Sequence, residues 1–383
     1  MKIVLVGLTY PFRGGIAHYT SLLFRELTKR HQVRLVSLRK QYPKILFPGK
    51  DQKDHSQERI EVENSPLIHP LTPWSWIYAF FRIRRMLPDL ILFQWWHPFF
   101  ALSFGSIALL LKGLGRGKIC FLCHNVRPHE STLFDKLLLR YAFHAPNHFI
   151  VHSQPDMIEL KRLKPGATVA RTLHPNYGVF RAGSKIQLQE AKRELGIEGN
   201  LLLFFGYVRK YKGLEYLLQA FPKVLKQVNC DLLIVGEIYE DKDKYLQMIS
   251  ETPAKDKIHL IDQYVPNEKV ALYFTAADLV VLPYISATQS GIIQIAYAFK
   301  KPVVSTRVGG IPEAVVEGET GFLADPQNAD SLADAILTFF ETKGRKDFSK
   351  SIEKVRERFS WERTVEAIEK MMTECKRGEP VEP

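Results

Sequence analysis

The sequence predicts an α/β protein built from two Rossmann-like domains in tandem. Three observations carry this. Short apolar runs alternate with amphipathic helical stretches along almost the whole chain. The alternation fails once, in "KPGATVARTLHPNYGVFRAGSK" at 164–185, and then restarts. The length, 383 residues, suits two domains of ordinary size.

The elements follow in order. "KIVLVG" (2–7) is a buried strand; it is too short, and lacks the small-residue cleavage pattern, for a signal peptide. The next stretch places Ile16, Tyr19, Leu23 and Leu27 at helical spacing. "QVRLVSL", "DLILFQW", "KICFLCH" and "HFIVHS" are further strands with helical sequence between them. After the interdomain linker at 164–185, "NLLLFFG" restarts the series. The helix behind it presents Leu214, Leu217, Leu218, Phe221, Val224 and Leu225 on one face. "CDLLIVG", "KIHLID", "DLVVLPY" and "KPVVST" complete the strands, and "FSWERTVEAIEKMM" is an amphipathic helix before a frayed end. Residues 90–111 hold 22 residues without Asp, Glu, Lys or Arg, long enough to span a bilayer. Gln94, His97 and Pro98 interrupt the run, so strand, turn and buried helix is the preferred reading.

Composition narrows the class. Four scattered cysteines give no disulfide framework and point to a reducing compartment, the cytoplasm. Cys120 and Cys123 form a C-x-x-C inside an apolar strand. No second pair or His cluster completes a zinc site, which favours structural cysteines over a redox or metal site. Residues 1–180 carry 25 Lys and Arg against 11 Asp and Glu, a net +14; the remainder carries 28 against 30, a net −2. Such a basic half attracts an anionic membrane surface, a phosphate-linked acceptor or nucleic acid through long-range Coulomb forces, or merely keeps the chain soluble.

In open parallel sheets ligands bind beyond the carboxyl ends of strands, and the motifs lie there. Gly14 and Gly15 precede a helix whose positive end they would leave open to a ligand, unless they only make a turn. The dinucleotide pattern G-x-G-x-x-G is absent after a strand, which argues against a nicotinamide enzyme. "CHNVRPHE" (123–130) groups His124, Asn125, Arg127, His129 and Glu130, suited to holding hydroxyls and moving protons. "FFGYVRKYKGLEYLL" (204–218) places Gly206, Arg209 and Lys212 before a helix, where two cations suit a diphosphate. It is not a P-loop, since G-x-x-x-x-G-K-[ST] is absent. "STRVGGIPEAVVEGETGFLADP" (305–326) brings four glycines and Glu313, which either faces a ligand or starts a helix.

Together, the Gly pair, "HN" at 124–125, "R-x-x-KG" at 209–213, "DLLIVGE", "AADLVVLPY", "KPVVSTRVGGIPEAVVEGETGFL" and "FSWE" resemble family 4 of the retaining glycosyltransferases. The resemblance covers nearly the whole chain and is most specific in its C-terminal part. It implies the GT-B fold, two Rossmann-like domains facing across a cleft. Residues 1–180 would bind the acceptor and 181–358 the nucleotide sugar, while 359–383 would form a helix crossing back to the first domain. The implied activity is transfer of a sugar from a nucleotide-diphosphate sugar to a glycan or lipid-linked acceptor, in cell-surface polysaccharide or glycoconjugate synthesis. A cytoplasmic protein peripheral to the membrane follows, with no nucleic acid partner, no metal, and no cofactor beyond the donor as co-substrate.

The resemblance also exposes a departure. The 18 residues from Ile285 to Pro302, "ISATQSGIIQIAYAFKKP", hold no carboxylate. The family carries two glutamates eight residues apart here; aligned on "AYAFKKPVV", their places fall at Ala287 and Ile295. This leaves sugar selection and ribose contact to other groups. His124, Arg209 and Lys212 become the candidate catalytic residues. Gly14, Gly15, Gly206, Glu237, Val265, Gln289, Ser290, Gly291 and Gln294 become candidates for donor binding, and Asn125, Arg127 and His129 for acceptor binding. A residue beside Ile295 on a helix points about 100° away, so Gln294 is a poor substitute and Gln289 the better one. Two other readings stay open: a non-catalytic sugar-nucleotide-binding scaffold subunit, and an epimerase or phosphorylase of the same fold.

Overall fold

The computed structural model describes residues 1–43, 47, 49–113, 115, 117–127 and 132–377. The chain divides into two compact units. The first comprises Met1–Asp54, Arg59–Leu173 and Trp361–Pro383, and the second His55–Glu58 and His174–Ser360. The break after Leu173 lies inside the Pro- and Gly-rich stretch at 164–185.

In the first unit β1 (Lys2–Gly7), β2 (Gln32–Leu38), β3 (Ser65–Ile68), β4 (Leu90–Trp95), β5 (Lys118–Cys123), β6 (His148–Val151) and β7 (Thr168–Arg171) form one parallel sheet. Their order is β3-β2-β1-β4-β5-β6-β7, so the sheet reverses direction between β1 and β4. Helices connect them: α1 (Gly15–Thr28), α2 (Pro73–Arg85), α3 (Ala101–Lys112), α4 (Leu133–Ala142) and α5 (Gln154–Leu163). The run at 90–111 resolves as expected into strand β4, a 3-10 turn at Pro98–Phe100 and helix α3. Every residue of β4 is buried, as a central parallel strand covered on both faces requires. Cys120 and Cys123 are both buried in β5. Three residues apart on a strand, they point to opposite faces and cannot share a ligand.

The second unit starts with two short helices, α6 (Val179–Ala182) and α7 (Leu188–Glu194), and then repeats the plan. Strands β8 (Asn200–Phe205), β9 (Cys230–Val235), β10 (Ile258–Ile261), β11 (Leu279–Leu282), β12 (Val303–Thr306) and β13 (Gly321–Ala324) make a parallel sheet in the order β10-β9-β8-β11-β12-β13. Its helices are α8 (Leu214–Leu225), α9 (Lys242–Glu251), α10 (Asn267–Ala276), α11 (Gly291–Ala298), α12 (Ile311–Ala314), α13 (Ala329–Lys343) and α14 (Phe348–Val355). The last helix, α15 (Trp361–Arg377), belongs to the first unit, where it packs on α1 and β7.

Three strands escape the sequence pattern. β3, β7 and β13 have four residues each, and they lie at sheet edges, where one flank is enough to hold them. β7 and α6 both fall within 164–185, so that stretch is not a plain linker.

Candidate functional site

In the second unit the sheet reverses between β8 and β11, and the loops leaving those strands are packed tightly together. Gly206, just after β8, has φ +103°. Gly236, just after β9, has φ +151°, and a Cβ there would lie 2.1 Å from the Gly206 carbonyl oxygen. Only glycine lets these two loops approach so closely.

The "RKYKG" stretch forms a 3-10 turn at Lys210–Lys212, closed by hydrogen bonds from Lys212 N to Arg209 O and from Gly213 N to Lys210 O. Gly213 sits at φ +68° and opens α8. A Cβ on it would meet the Pro283 carbonyl oxygen at 1.9 Å, so the turn lies directly on the end of β11. Ile285 N donates to Tyr211 O at 2.8 Å and ties the two loops together.

This turn separates the two predicted cations. Lys212 is buried, with Nζ 3.5 Å from the Tyr284 hydroxyl and 5.0 Å from the centre of its ring. A Cβ on Gly206 would lie 3.6 Å from that same Nζ. Burial pulls the Lys212 pKa below its ordinary value; Arg209 adds to the fall, and Tyr211 opposes it. Its contacts are the Tyr284 hydroxyl and the Tyr211 and Tyr284 rings. A charge on a lysine so placed is costly alone and is favoured by an anion beside it. Arg209 is 40% exposed, with Nε 3.4 Å from Glu240 Oε1, and it lies over the Tyr239 ring.

Tyr284 extends the arrangement to α11. Its hydroxyl is 2.8 Å from Ser290 Oγ, and that oxygen accepts from Ile293 N as the cap of the helix. Burial holds the Tyr284 phenol above its usual pKa, so it stays a neutral hydroxyl. Gly291 is the first residue of α11, and a Cβ there would lie 3.1 Å from the Tyr177 ring. Lys212, Tyr284, Ser290 and the helix start thus form one connected group, in which ammonium and helix dipole both favour negative charge.

The neighbouring polar groups are distinctive. The side-chain oxygens of Gln289 and Gln294 are buried with no hydrogen-bond partner among the described residues. Such acceptors suit ligand hydroxyls. Ala287 and Ile295 are both buried. Gly309, at φ +49°, closes over the Ala287 carbonyl, where a Cβ would come within 1.7 Å. Gly310 N also donates to Thr288 O. Glu237 is buried after β9, and its carbonyl accepts from Val208 N at 2.9 Å. Val265 is buried beyond β10. Beside it Tyr264 stacks 6.1 Å from Tyr207, which in turn lies 4.6 Å from Tyr239. Glu313 sits in the short helix α12.

In the first unit the corresponding switch point holds a network of packed rings. His124, just after β5, is buried, with Nε2 2.7 Å from Gln94 Oε1 on β4. The amide oxygen accepts only, so His124 Nε2 carries the hydrogen and the ring is held in place. The Tyr19 ring meets His124 edge-on at 4.4 Å, and His152 lies 5.6 Å away. Burial lowers the His152 pKa to about 4, against a bond to the Thr172 carbonyl that opposes the fall. Gly14, at φ +103°, caps α1, and Gly15 would meet nothing within 4 Å if it carried a Cβ. Asn125 is half-buried beside His124. Arg127, expected to be available to an acceptor, is instead 2.5 Å from Glu159. His129 lies outside the described residues.

The structure therefore gathers Gly206, Lys212, Ser290, Gly291, Gln289 and Gln294 around one turn and one helix start, while Gly14, Gly15, His124 and Asn125 belong to the other unit. Sequence reasoning missed Tyr284, which links Lys212 to Ser290, and Gln94 and His152, which frame His124. Gln94 left a signal, as the lone polar residue in "LILFQW". Tyr284 left none, because an aromatic residue closing an apolar strand looks like core.

Among known proteins, residues 199–342, within the second unit, match the family described as glycosyl transferases group 1. The D-inositol 3-phosphate glycosyltransferase of Corynebacterium glutamicum (strain R) is 30% identical over 241 residues, covering 60% of this chain and 54% of that protein. The chain spans about half the length of such curated relatives. The N-acetyl-alpha-D-glucosaminyl L-malate synthase of Bacillus anthracis is 27% identical over 95% of both chains. In three dimensions the sucrose-phosphate synthase of Thermosynechococcus elongatus matches with a TM-score of 0.75 at 18% identity, over 99% of this chain and 100% of that one. HepE of Anabaena in complex with UDP-glucose matches with 0.74 at 17%, over 98% and 100%. The fold is that of the GT-B glycosyltransferases, α/β with two Rossmann-like sheets.

Proposed function

We propose that this protein is a retaining glycosyltransferase that moves a sugar from a nucleotide-diphosphate sugar to a glycan or lipid-linked acceptor. The second unit would bind the donor and the first the acceptor. The observation that carries the reading is the buried ammonium of Lys212, joined through Tyr284 and Ser290 to the start of α11, within the matched domain.

The roles follow from charge and geometry. Lys212 and the amides opening α11 stabilise the diphosphate as negative charge grows on it, and Arg209 adds to this when it leaves Glu240. Gln289 and Gln294 accept hydrogen bonds from donor hydroxyls in place of the absent carboxylates. Val265 offers backbone groups to the base, and Glu237 lies beside the donor loops. Gly14 and Gly15 leave the start of α1 accessible. His124, held by Gln94, and Asn125 orient the acceptor hydroxyl, whose proton passes to the leaving diphosphate. No metal or organic cofactor enters this scheme. The basic first half favours an acceptor at an anionic membrane surface on the cytoplasmic side, in cell-surface polysaccharide or glycoconjugate synthesis. No helix among the described residues is long and apolar enough to cross a membrane.

The absence of any carboxylate from Ile285 to Pro302 favours a second reading, a scaffold subunit that binds a sugar nucleotide without transferring the sugar. A thermal-shift panel with UDP, GDP, ADP and CMP opens the test. UDP comes first because the HepE neighbour holds UDP-glucose. A ligand at 100 times its Kd stabilises the fold by about 2.7 kcal/mol. One diphosphate should raise the melting temperature of the wild type, and Arg209→Ala should weaken its binding about tenfold or more. If none of the four shifts the wild type at millimolar concentration, the donor site is refuted. If one binds but no sugar is released or transferred from its sugar nucleotide, the scaffold reading replaces the transferase.

A further inference from the structure

Helix α2 is apolar on both sides. Its inner face buries Ser75, Ala79, Phe80 and Ile83. Its outer face exposes Trp74, Ile77, Tyr78 and Phe81, at the three- and four-residue spacing that puts them on one stripe. Trp74 is 78% exposed. Globular proteins rarely leave such a stripe facing water without a use for it.

The stripe does not stand alone. Helix α3 packs between α2 and α4 and exposes Leu102 and Leu110. On α4, Phe134 and Leu137 are 66% and 63% exposed. Three neighbouring helices of one layer thus present apolar side chains outward. Apart from Asp135, which makes the capping box of α4 with Thr132, their charges are basic. Arg82, Arg84 and Arg85 end α2, and all three are exposed; α4 exposes Lys136 and Arg140. Helices α2 and α3 contain no carboxylate at all.

We propose that this outer face of α2, α3 and α4 docks the first unit onto an anionic lipid bilayer. Trp and Tyr side chains favour the boundary between headgroups and acyl chains, because their rings are apolar and their tips polar. Arginines beside them reach lipid phosphates while their stems stay on the apolar surface. A second copy of this chain fits the face less well, since a self-complementary contact would set Arg82, Arg84 and Arg85 against their own like charges. The helices lie on the membrane and do not cross it. The inference deepens the proposed function by naming the surface that brings the acceptor within reach, and it rests on that reading only for the acceptor.

The test is sedimentation of the full-length protein with sucrose-loaded vesicles, without nucleotide, so that it reads the surface and not the donor site. Phosphatidylcholine vesicles are compared with vesicles that also contain phosphatidylglycerol. The wild type should bind the anionic vesicles about tenfold or more better than the neutral ones, and salt should reverse this. The double variant Trp74→Glu/Phe81→Glu and the triple variant Arg82→Gln/Arg84→Gln/Arg85→Gln should each lose about tenfold or more while keeping the circular dichroism and any nucleotide-induced thermal shift of the wild type. Wild-type vesicle binding in both variants overturns the proposal. So does a wild type that ignores vesicles and forms a dimer that Trp74→Glu/Phe81→Glu breaks, which would give the face to a second copy.

Discussion

The two units share one strand order, apart from the extra edge strand β7, and line its switch point with different side chains. Above β8 and β11, glycines at positive φ bring backbone against backbone, and a buried ammonium sits where the loops converge. Above β1 and β4 lie Tyr19, Gln94, His124 and His152, bonded or stacked on one another, and Arg13 is buried in the loop after β1. A sheet with one topology therefore does not dictate the ligand. The residues just past the strand ends do.

Glycine gives the sharpest way to break the comparison. Gly213→Ala should cost more than about 3 kcal/mol, because the new methyl meets the Pro283 oxygen at 1.9 Å and the φ of +68° is strained for alanine. Gly15→Ala, with nothing within 4 Å, should change stability by no more than about 0.5 kcal/mol. Urea unfolding of the two variants measures this, and equal midpoints would show that the second unit's loops have slack.

Acid comes next. The folded pKa of His152 is about 4 against an ordinary 6.5, so between those values the unfolded chain binds a proton that the folded chain refuses. Stability is then complete above pH 6.5 and falls as pH drops through 4, by roughly 3 kcal/mol for this one group. His152→Gln should flatten that part of the profile of unfolding midpoint against pH. An unchanged slope would place the acid sensitivity elsewhere.

The buried ammonium gives the smallest effect on folding and the clearest on binding. Lys212→Met keeps the length of the side chain and removes its charge. The melting temperature without ligand should hold or rise, because no buried charge is left to desolvate. Affinity for the diphosphate should fall about 100-fold, roughly 2.7 kcal/mol, as expected for a charge-assisted contact. Isothermal titration that finds wild-type affinity would remove Lys212 from the anion site and erase the contrast between the units.

The sequence by itself determined the fold class, because periodicity is local. Each central strand is an apolar run, each helix carries an apolar stripe, and "KIVLVG", "DLILFQW" and "NLLLFFG" need no neighbours to be read. It also placed Gly206, Lys212, Ser290 and His124 at strand ends, since parallel sheets put ligand loops there. What only the tertiary structure decided depends on partners far away in sequence. Arg127 meets Glu159 and Arg209 meets Glu240, so each candidate cation already faces a carboxylate. Tyr284 joins Lys212, 72 residues away, to Ser290. The edge strands β3, β7 and β13 form because an adjacent strand offers its hydrogen bonds, not because four residues insist on being extended. Trp74 and Phe81 lie in the same apolar helix as Phe80 and Ile83. Packing alone turned Phe80 and Ile83 inward and left Trp74 and Phe81 facing out.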